Sequence, residues 1–150
     1  MKIVIPMSGM GSRFLRAGYQ TAKPLIPIDG RPMIEQVVKM FPAEEDFIFI
    51  CNREHLETTP LRAILQALKP SAKILQIEKH KKGPVYATLF ALDLLDDDEE
   101  VIVNYCDFTV VWDYQAFLEK VRAGRFDGVL TAYRGFHPHH LAPNAYFAYI

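Results

Sequence analysis

The chain has 150 residues, half of them apolar and 23% charged, with 17 Lys and Arg against 18 Asp and Glu and a formal charge of −1. So even a balance provides no diffuse positive field, which argues against a protein that holds nucleic acid through its phosphate backbone. A chain of this length buries roughly 70% of its unfolded surface, enough for one core, and one compact domain is expected. The opening run MKIVIPMSG is too short for a signal peptide, and no stretch approaches the ~18 uninterrupted apolar residues of a bilayer-spanning helix, so no membrane partner is expected. Cys51 and Cys106 sit beside apolar runs without disulfide or zinc spacing, which fits a reducing, cytoplasmic setting.

In chain order, strand-like runs rich in β-branched and aromatic residues fall at Ile3–Pro6, Phe47–Cys51, Lys73–Ile77, Val101–Asn104, Gly128–Tyr133 and Ala145–Ile150. Several are continuously apolar, as strands buried on both faces of a parallel sheet are. Between them, Pro32–Phe41, Leu61–Leu68, Pro84–Leu95 and Tyr114–Ala123 carry apolar residues at three- and four-residue spacing and read as helices. Pro84 suits a first helical turn, Asp113 an N-cap and Gly124 a C-terminal stop. The alternation predicts an α/β fold of three layers, α/β/α, around a mostly parallel central sheet. Met7 to Gly30 breaks the rhythm: it holds Gly9, Gly11, Gly18, Pro24, Pro27 and Gly30 and reads as one long loop. Such a loop, directly after the first strand of an open α/β sheet, is where ligands bind.

The chemistry-bearing residues cluster in that loop. Gly9 and Gly11 let the backbone turn tightly and present N–H groups to an anion. Taken alone, this is also what a glycine turn without a ligand looks like. The dinucleotide fingerprint fails, because Phe14 stands where a small residue is needed, and the GxxxxGK[ST] phosphate loop is absent. Arg13 can fork over an anion held by the loop amides. Lys23 follows, with Pro24 restraining the backbone beside it. Gly30 to Ile34 then opens an amphipathic helix.

Glycines, arginine, Lys-Pro and GxPxI in that order resemble the sugar-phosphate nucleotidyltransferase family. PMSGMGSRF, AKPLIPIDGRPMIEQVV and RGFHPHH are most similar to its bacterial capsule and surface-polysaccharide branch. The resemblance covers the whole chain but only about the first half of a typical member. It implies a Rossmann-like, GT-A-like fold in which residues 1–150 form the nucleotide-binding half and the acceptor-binding half is absent. It further implies that the loop Met7, Ser8, Gly9, Met10, Gly11 and Ser12 wraps a nucleoside triphosphate, with Arg13 and Lys23 on its phosphates. Ser8 stands where alanine is more usual. The family places a glycine beside the nucleobase, matched by Gly83 after the basic stretch Lys79 to Lys82, and a preceding glutamine, for which Gln76 is spaced long. As bare sequence, that basic stretch also reads as a solvated loop before a helix. Asp107, ending the fourth strand, matches a family ligand for Mg2+, with Cys106 where glycine is usual; without the resemblance it reads as a turn residue.

Other residues carry less. His137, His139 and His140 surround Pro138 on a loop, where adjacent positions rarely converge on a metal, and a loop closing over substrate is the better reading. Asp96 to Glu100 reads as a hydrated acidic turn, and Cys51 as a core thiol. The expectation is transfer of a nucleoside monophosphate from a triphosphate to a sugar 1-phosphate, with pyrophosphate released, for a surface-polysaccharide precursor. No protein nucleophile is required, because the attacking phosphate is already ionised. The base stays open, as does the acceptor, which can equally be a phospho-alcohol such as phosphocholine. A nucleotide-binding or regulatory module without turnover is the alternative from another class. A related glycosyltransferase is disfavoured, since Thr109 breaks the Asp-x-Asp metal motif. A homo-oligomer or a second chain is expected to complete the acceptor side; without it, weak binding and poor turnover are expected.

Overall fold

The computed structural model describes residues 1–124 and 126–132. The chain divides into two compact units, Met1–Tyr114 and Gln115–Ile150. In the first, a four-stranded sheet is formed by β1 (Lys2–Met7), β4 (Phe47–Asn52), β5 (Lys73–Ile77) and β6 (Val101–Val103), in the order β5-β4-β1-β6. Every pairing in it is parallel. β1 and β4 are buried along their whole lengths, which is what their unbroken apolar sequences require.

The sheet's two faces are distinct. Val4, Ile48, Ile50 and Ile77 pack against Ala87 and Ala91 from the helical segment that follows β5. On the other face Phe47 stacks on Phe49, with ring centroids 5.6 Å apart, and Phe41 meets Phe47, Trp112 and Tyr114 edge-on. Phe41 follows helix α2 (Met33–Val38), which lies shorter than the expected Pro32–Phe41 because its last turns close with tighter bonds from Met40 to Val37 and Phe41 to Val38. The Leu61–Leu68 helix is found as expected (α4), burying Leu61 and Leu65 completely.

Several expectations need correction. Met7 to Gly30 is not one structureless loop: it holds helix α1 (Ser12–Arg16), a 3₁₀ turn at Lys23–Leu25 and a strand, β2 (Pro27–Ile28), that pairs antiparallel with β3 (Arg31–Pro32). No residue of α1 is buried, so the sequence carries no apolar stripe there. A further helix, α3 (Arg53–Thr58), starts at Asn52, whose side chain accepts the Glu54 N–H at 2.9 Å. The segment expected as one helix at Pro84–Leu95 is α5 (Gly83–Thr88) followed by a 3₁₀ helix at Leu89–Leu94. Of the strand expected at Gly128–Tyr133, residues 128–132 carry none, and Tyr133 lies outside the described residues, as does the run Ala145–Ile150. Helix α6 spans Tyr114–Ala123, all but its first residue in the second unit, and there Gln115 donates to Glu119 at 3.2 Å.

At the N-terminal edge of the sheet, buried Lys2 pairs with Glu99 and Asp46. Glu99 sits in the acidic run read as a hydrated turn, yet it is committed to this contact. The hydrogen bond from Lys2 holds the Glu99 carboxyl below its usual pKa of 4.5. A carboxylate depressed in the folded state contributes stability above its unfolded pKa and loses it as pH falls through the lower folded value. We expect Lys2→Met to flatten the decline of the urea midpoint below pH 4.5 relative to the parent chain, measured by fluorescence at stepped pH.

Candidate functional site

Strand order decides where the site lies. The chain runs from β1 outward through β4 to β5, then returns to add β6 on the opposite side of β1. In open parallel sheets, ligands bind at the carboxyl ends beside such a reversal, because the loops leaving the two strands part there. The ladder between β1 and β6 reaches Val4, whose carbonyl accepts the Asn104 N–H at 3.1 Å. Pro6, two residues on, directs its backbone to the same side beyond the end of β6, so its missing N–H forfeits no sheet bond. A crevice therefore opens between Met7 and Asn104.

The glycine loop forms one wall. Gly11 adopts φ 61° and ψ 26° in the left-handed region and starts α1, its carbonyl accepting the N–H groups of Phe14 and Leu15. A Cβ at Gly11 would stand 3.5 Å from Cβ of Lys23. Gly9 differs: its φ lies outside the left-handed range and nothing lies within 4 Å of where its Cβ would be. Met7 and Ser8 are buried, while Met10 and Ser12 are partly or fully exposed.

Lys23 is held from several directions. Pro24 and Leu25 are buried beneath the 3₁₀ turn and anchor its backbone. Its ammonium lies 5.3 Å from the Phe14 ring centroid, a cation–π contact, and bonds Oδ2 of Asp107 from the loop after β6. The structure thus brings together Gly11, Lys23 and Asp107, three of the expected site residues. Arg13 lies on exposed α1, and its guanidinium makes no ion pair or hydrogen bond among the described residues. Burial pushes the neighbouring Cys106 thiol up to about 12, so it is a protonated interior group and no nucleophile; Cys51 is likewise pushed to about 12.

The basic stretch after β5 joins the glycine loop through a contact that the sequence did not suggest. Ser8 Oγ meets Nε2 of His80 at 3.2 Å, and the Lys82 N–H points at Nδ1 of the same ring at 3.3 Å. An acceptor at Nδ1 puts the proton on Nε2, which then donates to Ser8. The imidazole also packs edge-on against Tyr86, 4.9 Å between centroids. Serine in place of alanine at position 8 is therefore a tether that fixes the segment before Gly83. Gly83 has φ 86° and open space over its Cα. Gln76 is engaged elsewhere: its side-chain oxygen lies 3.5 Å from the Arg62 guanidinium of α4.

Beside the crevice, a cavity of about 250 Å³ is lined by Met10, Gly11, Phe14, Lys23, His55 and Lys79, among others. Sequence reasoning missed α3 and hence His55. Burial lowers the His55 pKa, and its Nδ1 is buried without a hydrogen-bond partner among the described residues. Lys79 pairs with Glu54 at 3.3 Å across the rim. The chain of His137, His139 and His140 lies outside the described residues. Among the described residues no helix is long and apolar enough to cross a membrane.

A parallel sheet with this reversal and a glycine loop at its mouth is the architecture in which open α/β domains bind ligands at the carboxyl ends of their strands. The MobA-like NTP transferase domain matches residues 3–150, and the chain belongs to that family. The resemblance to sugar-phosphate nucleotidyltransferases is borne out at this level. No curated protein sequence matches the chain significantly. Solved structures share the fold. A nucleoside-diphosphate-sugar pyrophosphorylase from Vibrio cholerae RC9 is 22% identical with a TM-score of 0.58, over 77% of this chain and 52% of its own. A UTP-bound UGPase from Acinetobacter baumannii is 20% identical with a TM-score of 0.59, over 83% and 53%. A UDP-glucose pyrophosphorylase complexed with UDP-glucose is 19% identical with a TM-score of 0.56, over 81% and 52%. The chain thus spans about half the length of these structures.

Proposed function

We propose that this chain is the nucleotide-binding half of a nucleotidyltransferase that moves a nucleoside monophosphate from a triphosphate to a sugar 1-phosphate, releasing pyrophosphate, in the making of surface-polysaccharide precursors. The observation that carries the reading is the meeting of Lys23 and Asp107 across the mouth of the β1/β6 crevice, beside the glycine loop. The uridine nucleotides named for two of the similar structures support a triphosphate and a sugar phosphate as the substrate classes. A cytoplasmic location follows from the same reading, since that is where triphosphates and reduced thiols are kept.

In this reading the sugar phosphate's oxygen attacks the α-phosphorus, the bond to the β-phosphate oxygen breaks, and pyrophosphate leaves with the electron pair. Amides of Met7 to Ser12, together with Arg13, hold the leaving phosphates, and Lys23 neutralises charge nearest the reacting phosphorus. Gly83, fixed by the Ser8–His80 tether, lies beside the base. The residues suit Mg2+: the Asp107 carboxylate is 36% exposed at the mouth and already faces a cation, Lys23. No cluster of three His, Cys, Asp or Glu exists among the described residues, and Mg2+ is commonly held by one or two carboxylates plus substrate phosphates. Bound there, the ion supplies charge neutralisation and a template for the phosphates. In this reading the acceptor-binding groups lie outside residues 1–150.

Gly9 gives the sharpest test. Neither its backbone conformation nor its neighbours require glycine, and in this reading the open space over it lets a triphosphate approach the loop amides closely. Gly9→Ala is expected to leave stability within about 0.5 kcal/mol of the parent. It is expected to lower affinity for the preferred triphosphate about tenfold or more, by blocking close approach to the loop amides. Gly11→Ala, by contrast, is expected to cost about 1–2 kcal/mol of stability, because alanine is strained at positive φ. Calorimetric titration with each ribonucleoside triphosphate plus Mg2+, beside urea melts, reads both effects. Binding of none of the triphosphates by the parent chain overturns the reading. Pyrophosphate release on adding a sugar 1-phosphate then separates turnover from binding alone.

A further inference from the structure

In the free protein the two groups assigned to the substrates occupy one another. The Lys23 ammonium bonds Asp107 where a metal ion would stand, and the Asp107 carboxylate takes up the charge that a polyphosphate would use. We infer that the Lys23–Asp107 pair is a latch that makes metal and polyphosphate binding mutually dependent, each ligand releasing the group that the other needs. This rests on the assignment of Lys23 to phosphates and Asp107 to the metal.

The surroundings make the latch movable. Lys23 is fixed at its backbone by buried Pro24 and Leu25 and by the glycine loop against its Cβ. Among the described residues its ammonium is restrained only by Asp107 and the Phe14 ring. A lysine stem is four flexible carbons, and Lys23 also lines the cavity bounded by Gly11 and Phe14, to which Asp107 does not contribute. The pair is partly exposed, at 22% and 36% of the side chains, so its strength is that of a contact a ligand can exchange rather than of a buried ion pair. A polyphosphate arriving at the loop draws the ammonium off and bares the carboxylate for a metal ion. A metal ion at Asp107 frees the ammonium for phosphate. Coupling of this kind is reciprocal by thermodynamic necessity.

The test uses each ligand alone on the full chain: Mn2+ without phosphate, and tripolyphosphate with metal chelated. Lys23→Met keeps the stem against Phe14, and Asp107→Asn keeps the shape of the carboxylate. The latch predicts Mn2+ affinity up about fivefold in K23M and tripolyphosphate affinity up about fivefold in D107N, the size expected for freeing a partly exposed ionic group. Simple removal of a like charge would raise the same affinities, so the double variant decides. If Asp107 acts by holding Lys23, D107N gives no gain in the K23M background. An equal gain in both backgrounds overturns the latch, as does Mn2+ affinity unchanged by K23M. Failure of the parent chain to bind tripolyphosphate or any nucleoside triphosphate overturns the assignment of Lys23 and the latch with it, whereas triphosphate binding with Mn2+ affinity unchanged by K23M overturns the latch alone. Circular dichroism of each variant checks that it is folded.

Discussion

Replacing Lys23 with alanine is expected to lower affinity for the preferred triphosphate plus Mg2+ about 100-fold, the loss typical of removing one partner of a desolvated, charge-assisted contact. The fold is expected to survive almost unchanged. Lys23 sits on a turn anchored by buried Pro24 and Leu25, and its ion pair with Asp107 is partly exposed, so its removal costs at most about 1 kcal/mol. Where turnover is measurable, the rate is expected to fall with the same variant, because the role proposed for Lys23 is to neutralise charge that grows toward the transition state. Calorimetry for binding and urea melts for stability separate the two effects. Parent-like binding in a folded Lys23→Ala chain would remove the lysine from the site.

Phe49→Ala is expected to show the opposite pattern. Phe49 is fully buried at the centre of β4, stacked on Phe47 and placed in register with Ile5 on one side and Ile74 on the other. Truncating it leaves a cavity in the middle of the sheet, which costs about 3–5 kcal/mol. Against a domain stability of about 5–15 kcal/mol, that is a large fraction. With the usual urea slope of about 1–3 kcal/mol per molar, the midpoint is expected to fall by about 2 M. Phe49 does not line the cavity beside Gly11 and Lys23, so any protein that remains folded is expected to bind triphosphate as the parent does. A midpoint shift under 0.5 M, on the order of the scatter for surface substitutions, would mean that β4 is not the core strand described.

Particular elements explain what could be read in advance. β1 and β4 were legible because strands buried on both faces are apolar at every position, and Leu61–Leu68 because its apolar residues repeat at helical spacing. α1 and α3 escaped because helices of five and six residues span too few turns for a repeat, and α1 buries nothing. The run at 128–132 misled because a short apolar stretch looks the same whether or not it finds a partner strand. Of the site, Gly9, Gly11, Arg13 and Lys23 were visible as an ordered set within a single loop. The Ser8–His80 tether was not, since neither residue type signals the other at a distance.

The division has a physical basis. Local backbone preference and the spacing of apolar residues are set by the order of residues along the chain, so that order by itself determined the parallel α/β class, the glycine turn and the family to which the chain belongs. Which loops share a mouth depends on strand order, and strand order depends on which faces find burial after collapse. Only the tertiary structure decided that Asp107, in the loop after the β6 strand set beside β1, meets Lys23, and that His80, in the segment after β5, meets Ser8.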